Sequence, residues 1–131
     1  MAVVPLLNDA EAGADALAVF DDIRAKRQTD YVNNFWRALA HDPAHLRSIW
    51  ERAQQVMAPG ALDPLVKELI YIAVSTANGC DYCIHSHTAA ARAKGMSPAQ
   101  HGELLSVIAL AAQTNALATA LSVPVDGRFK A

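Results

Sequence analysis

A chain of 131 residues that is 53% hydrophobic and 18% charged is long enough to bury one core and too short for two comfortable ones, so a single domain over 1–131 is expected. Its 11 Lys+Arg stand against 13 Asp+Glu, a formal net charge of −2, which leaves no electrostatic surplus for a nucleic-acid partner. Two cysteines separated by only two residues cannot staple a small secreted fold, which points to a reducing cytoplasm.

In chain order, the first segment MAVVPLLNDAEAG lacks the positive region of a signal peptide, and its apolar run is broken by Pro5 and ended by Asn8-Asp9. The chain is therefore read as mature from its start. Apolar periodicity predicts helices at about 10–27, 30–41, 43–57, 63–78, 80–94 and 97–120. Asp42-Pro43, Asp63-Pro64 and Ser97-Pro98 each place a capping side chain before a proline at the first helical position, and Gln100 completes a capping box with Ser97. Gly60, Gly79 and Gly95 are expected to end the preceding helices. No period-two alternation competes, so the fold class is all-α.

Leu104 to Val125 carries no charge and has the length to span a bilayer. Ser106, Gln113, Thr114, Asn115, Thr119 and Ser122 argue against hydrocarbon, and the segment is read as a helix covered by protein on most sides, with a partner subunit supplying part of the cover. No membrane association is expected.

The stretch NGCDYCIHSH holds both cysteines and two of the five histidines. A helix starting near Cys80 places Cys80, Cys83 and His87 on one face, since they lie three and four apart. A cysteine in the first turn meets unpaired N–H groups and the positive end of the helix dipole, which favour the thiolate that attacks or ligates. The preceding helix is apolar nearly all round yet contains Glu68. If the chain reverses at Gly79, Glu68 lies level with about residue 90, roughly 10 Å along the axis from Cys83 at about 1.5 Å per residue, with His87 between them. That geometry suggests a relay from Glu68 to His87 to Cys83. The alternatives are a buried, inert pair of cysteines, or a metal half-site completed by His85 or His87. His85 falls on nearly the opposite face and is read as an interface or pocket-rim residue. His41 and His45 have the spacing of a zinc-binding helix, but Asp42-Pro43 separates them into different elements.

The residues ELIYIAVSTANGCDYCIHSHTAAARAKG closely resemble the core of the AhpD-like alkylhydroperoxidases of the carboxymuconolactone decarboxylase superfamily. The shared pattern is Glu, eleven residues, CxxC, three residues, His, and the resemblance runs over about 31–125. It implies an AhpD-like helical bundle of about six helices with a central antiparallel hairpin, assembled as trimers or hexamers. It also implies a peroxiredoxin-type oxidoreductase, a thiol-dependent peroxidase or disulfide reductase that uses no metal, haem or other cofactor. By that resemblance Cys83 is peroxidatic, Cys80 resolves it into a redox-active disulfide, and Glu68 and His87 relay protons. The implied partners are a small hydroperoxide or disulfide substrate and an external dithiol reductant. The pattern departs at Tyr82, where the best-known relatives carry another histidine, so that part of their proton network is absent or altered here. A redox-sensing or non-catalytic binding oligomer of the same fold is the alternative, while the cysteine pair counts against lactone decarboxylation.

Overall fold

The computed structural model describes residues 1–130, and among them there is no strand. Six α-helices follow in order, α1 (Ala14–Arg27), α2 (Asn34–Leu39), α3 (Pro43–Met57), α4 (Pro64–Ala77), α5 (Asp81–Ala93) and α6 (Pro98–Ala120), with a closing 3-10 turn at Gly127–Phe129. The fold is all-α. The chain divides into two compact units, Met1–Ala58 and the segment from Pro59 onward.

The first unit is built on α1, whose buried Ala16, Val19, Phe20 and Ile23 recur at the i, i+3, i+4, i+7 spacing of one helix face. Leu46 and Trp50 of α3 and Trp36 of α2 complete a core that also takes in Val32 and Ala40. Trp36 meets Trp50 edge to face at 5.4 Å, and the Trp50 indole N–H donates to Asp22 at 2.6 Å, so the largest buried side chain has its one polar atom satisfied.

Three helix starts have the caps that the sequence announces. Asp42 accepts from the His45 N–H, Asp63 from the Leu65 N–H, and Ser97 and Gln100 form a reciprocal capping box. Two helix starts and one helix stop differ from expectation. The α1 helix starts at Ala14 rather than 10, because the Asn8 side chain caps a separate turn by accepting from Ala10 and Glu11, and Gly13 follows in an extended conformation. The α2 helix starts only at Asn34, after Gln28 ends α1 in a left-handed conformation and Asn33 is extended. The α3 helix ends at Met57 as expected, but its stop is Ala58, extended because Pro59 follows it, and not Gly60, which has no positive φ.

Gly79 and Gly95 do take positive φ, 68° and 94°. Each closes its helix with the same paired bonds. Cys80 N–H donates to Ser75 C=O while Gly79 N–H donates to Thr76, and Met96 N–H donates to Ala91 while Gly95 N–H donates to Arg92. The first of these motifs reverses the chain, so α4 and α5 form an antiparallel hairpin. Its core is small: Ile72, Ala91 and Met96 are buried, flanked by Leu65, Leu69 and Leu104.

The α6 helix departs from expectation. It is long and apolar enough to cross a membrane, yet none of its residues is buried. Within this chain it is covered at few positions: Leu104 packs against the hairpin core, and His101 and Ile108 are partly buried.

Candidate functional site

The hairpin that Gly79 creates decides where the chemistry lies. Its closing bonds use the Cys80 N–H and leave Cys80 as the N-cap of α5, with Cys83 in the first turn and His87 one turn further. Across the hairpin, α4 contributes Glu68, which is only 4% exposed and one of the two buried polar residues among those described. A carboxylate so removed from water needs partners for both oxygens. It has them. Oε2 meets His87 Nδ1 at 2.6 Å and Oε1 accepts from Lys94 Nζ at 2.9 Å. Burial alone would raise the Glu68 carboxyl, but the bonds from His87 and Lys94 outweigh it and hold the group below its ordinary value of 4.5. An ionised Glu68 requires the proton on His87 Nδ1, which leaves Nε2 as the atom able to take one.

Two neighbours of this pair are not signalled by the CxxC spacing. Tyr71, one turn after Glu68 on α4, stacks on the His87 ring at 3.5 Å and 18°, so the imidazole is held at its edge by a carboxylate and on its face by a phenol. Burial raises the Tyr71 hydroxyl, with Cys83, Cys80 and Glu68 adding to it by charge repulsion. Lys94 stands one turn beyond the residue that hairpin arithmetic puts level with Glu68, and that register is the signal that finds it.

The two thiols are free and unequal. Cys80 is held below its ordinary value, first by a hydrogen bond from the Cys83 side chain and then by the N–H groups of Cys83 and Tyr82, which approach the sulfur without forming a full capping bond. Cys83 is pushed up to about 11, first by burial and then by its bond and charge interaction with Cys80. Position on the helix thus favours the thiolate at the N-cap, on Cys80, rather than one turn in. His85 is exposed, and His41 lies outside α3, its Nε2 at 2.8 Å from the Pro5 carbonyl. Among the described residues no three His, Cys, Asp or Glu side chains converge as metal ligands.

Comparison with known proteins places this geometry. The model of the carboxymuconolactone decarboxylase family matches residues 43–126. The alkyl hydroperoxide reductase AhpD of Solibacter usitatus is 38% identical over 84 residues, 64% of this chain and 42% of that protein. The chain therefore spans less than half the length of that curated relative. The crystal structure of an alkylhydroperoxidase AhpD core from Rhodospirillum rubrum superimposes with a TM-score of 0.96 at 63% identity, covering 100% of this chain and 98% of that one. On its sequence and its fold, the chain belongs to the carboxymuconolactone decarboxylase family, as an AhpD-like member.

Proposed function

We propose that the chain is a thiol-dependent peroxidase or disulfide reductase that cycles Cys80 and Cys83 between dithiol and disulfide. The observation that carries this reading is the 2.6 Å bond between buried Glu68 and His87, one turn from Cys83 on the same helix. A buried carboxylate–imidazole pair is what a thiol needs when burial holds it protonated.

In the peroxidase cycle His87 Nε2 takes the Cys83 proton, and the thiolate attacks one peroxide oxygen. The O–O bond breaks with its electron pair leaving on the alkoxide, which takes the proton back from His87 and departs as the alcohol. Cys83 is left as a sulfenic acid. The Cys80 thiolate, favoured by its low titration, attacks the Cys83 sulfur and expels hydroxide, which is protonated to water as the disulfide forms. An external dithiol then reduces that disulfide by two exchange steps and is itself oxidised to a disulfide. The cycle needs no metal or organic cofactor, and a dithiol reductant places it in a reducing, cytoplasmic compartment. We also infer a homo-oligomer, a trimer or hexamer by the family resemblance, because exposed Val66, Ile70 and Val74 on α4, Leu110 and Leu117 on α6 and Leu121 at its C-cap leave apolar stripes of the kind that association covers.

The Cys83 thiol, raised to about 11, favours a second reading: a redox-sensing oligomer oxidised once per event rather than turning over. Consumption of tert-butyl hydroperoxide with dithiothreitol separates the two. For an enzyme, Cys83→Ser abolishes turnover and Glu68→Gln lowers it by about 10²-fold, within the range of general acid–base contributions. Unchanged turnover in Cys83→Ser refutes the enzyme, and stoichiometric oxidation without turnover establishes the sensor.

A further inference from the structure

Among the described residues, Lys94 is the one lysine or arginine that pairs with Glu68. It is the C-cap of α5, where any lysine is favoured by the helix dipole, and that location would account for a cation pointing to solvent. Its ammonium instead crosses the hairpin to Glu68 Oε1, 26 residues away in sequence, and meets a carboxylate whose other oxygen is held by His87. The Lys94 side chain is half-exposed while that of Glu68 is buried, so the cation closes the solvent side of an otherwise enclosed carboxylate. Gly95 fixes this placement. Its positive φ ends α5 immediately after Lys94 and turns the chain away toward Met96, which is buried against Ile72.

From these contacts we propose that Lys94 is a positioning residue of the site: by holding Oε1 it keeps Glu68 ionised and its Oε2 presented to His87 Nδ1. Without it, Oε1 is a buried oxygen with no partner, and the carboxyl can relieve that by taking a proton or by rotating away from the imidazole. Either event removes the acceptor that fixes the His87 tautomer. The other titratable groups that act on the carboxylate are His87 on α5 and Tyr71 on α4. His101 and Glu103 of α6 make no hydrogen bond or ion pair with it.

The catalytic consequence rests on the relay proposed above, and the test separates the two. In the full chain, the Glu68 carboxyl is followed by 13C NMR against pH in the native protein, Lys94→Met and Lys94→Arg, alongside tert-butyl hydroperoxide turnover with dithiothreitol. In Lys94→Met the carboxyl midpoint rises by about one pH unit, the size of a single partly exposed charge-assisted contact. The kcat falls by about tenfold with KM for the peroxide unchanged, as expected when the base is misplaced and the substrate site is intact. Lys94→Arg restores both. An unmoved Glu68 midpoint in Lys94→Met overturns the inference, as does a loss that Lys94→Arg fails to restore, which would assign Lys94 to packing. If Glu68→Gln turns over like the native chain, the relay is wrong, and the carboxyl titration alone decides Lys94: a raised midpoint upholds the hold on Glu68, an unmoved one refutes it.

Discussion

The two units solve opposite problems. In the first, Met1–Ala58, nine apolar residues are buried together, and Asp9 pairs with both Arg24 and Arg37 near the surface. In the second, among the described residues, only Ile72, Ala91 and Met96 form the buried apolar cluster, the buried polar residues are Glu68 and Ser75, and a 23-residue helix has no buried residue. One unit closes its own core. The other keeps its interior for a carboxylate and its surface for something else, and the candidate chemistry lies entirely in that unit. A catalytic group can be held rigidly on a helical hairpin with little core only if other contacts constrain it, which is the part that both Glu68 bonds and the Tyr71 stack play here.

The sharpest way to break this comparison is to open the closed core. Trp50→Ala removes the largest fully buried side chain and leaves Asp22 with only its exposed Lys26 pair, so the chain loses about 3–5 kcal/mol in urea unfolding. A loss below about 1 kcal/mol would show that the core of the first unit is not the stabilising one.

The hairpin offers the next effect in size. Gly79 has φ 68° and nothing within 4 Å of an added Cβ, so Gly79→Ala costs only its conformational strain, about 1–2 kcal/mol. Gly13 is extended at negative φ, so Gly13→Ala is free of that strain, and equal costs at the two glycines would remove the special standing of the hairpin turn.

How far these elements were legible follows from the range of the interactions that make them. Caps and stops at Asp42, Asp63, Ser97, Gly79 and Gly95 are written within a few residues and read directly. Gly60 misled because Ala58-Pro59 had already ended the helix, and the α1 start misled because Asn8 spends its side chain on a turn of its own. Glu68 and His87 were legible as neighbours because one tight reversal at Gly79 makes the hairpin register simple arithmetic. Lys94 and Tyr71 needed the same arithmetic carried one turn past the motif. The inequality of the thiols was not legible at all, since it depends on which sulfur is buried and which donates to the other.

Acid tests both units at once, with a smaller effect. Glu68, Asp9 and Asp22 all titrate below their ordinary values in the folded chain: desolvation opposes the partners in the first two, while in Asp22 the Trp50 bond leads. A depressed folded value means stability that is present above the unfolded value and is lost as pH falls through the folded one. Stability is therefore insensitive to these groups above about pH 5 and declines below their ordinary values of 4.5 and 3.8. Glu68→Gln flattens part of that decline in urea titrations between pH 5 and 3. The exposed Asp9 contributes less, because water screens its pairs. A decline identical in Glu68→Gln and the native chain would mean that the buried carboxylate contributes nothing to the second unit.

The smallest effect on the fold is expected where the apolar surface is largest. Leu110 and Leu117 of α6 are 61% and 52% exposed, so a Leu110→Gln/Leu117→Gln chain loses almost no internal packing and its dilute-limit stability stays within about 0.5 kcal/mol of native. A helix with apolar residues facing water would gain nothing from them in an isolated chain, so their place must be judged by association. If copies of the chain cover α6, the native melting temperature rises with protein concentration and that of the double variant does not, while the two converge on dilution. If α6 instead lies in lipid, the native chain floats with liposomes and the double variant is depleted from them, with no concentration dependence in either melt. A double variant that unfolds at every concentration would show that α6 is packed within its own chain, and the contrast between a closed unit and an open one would fall with it.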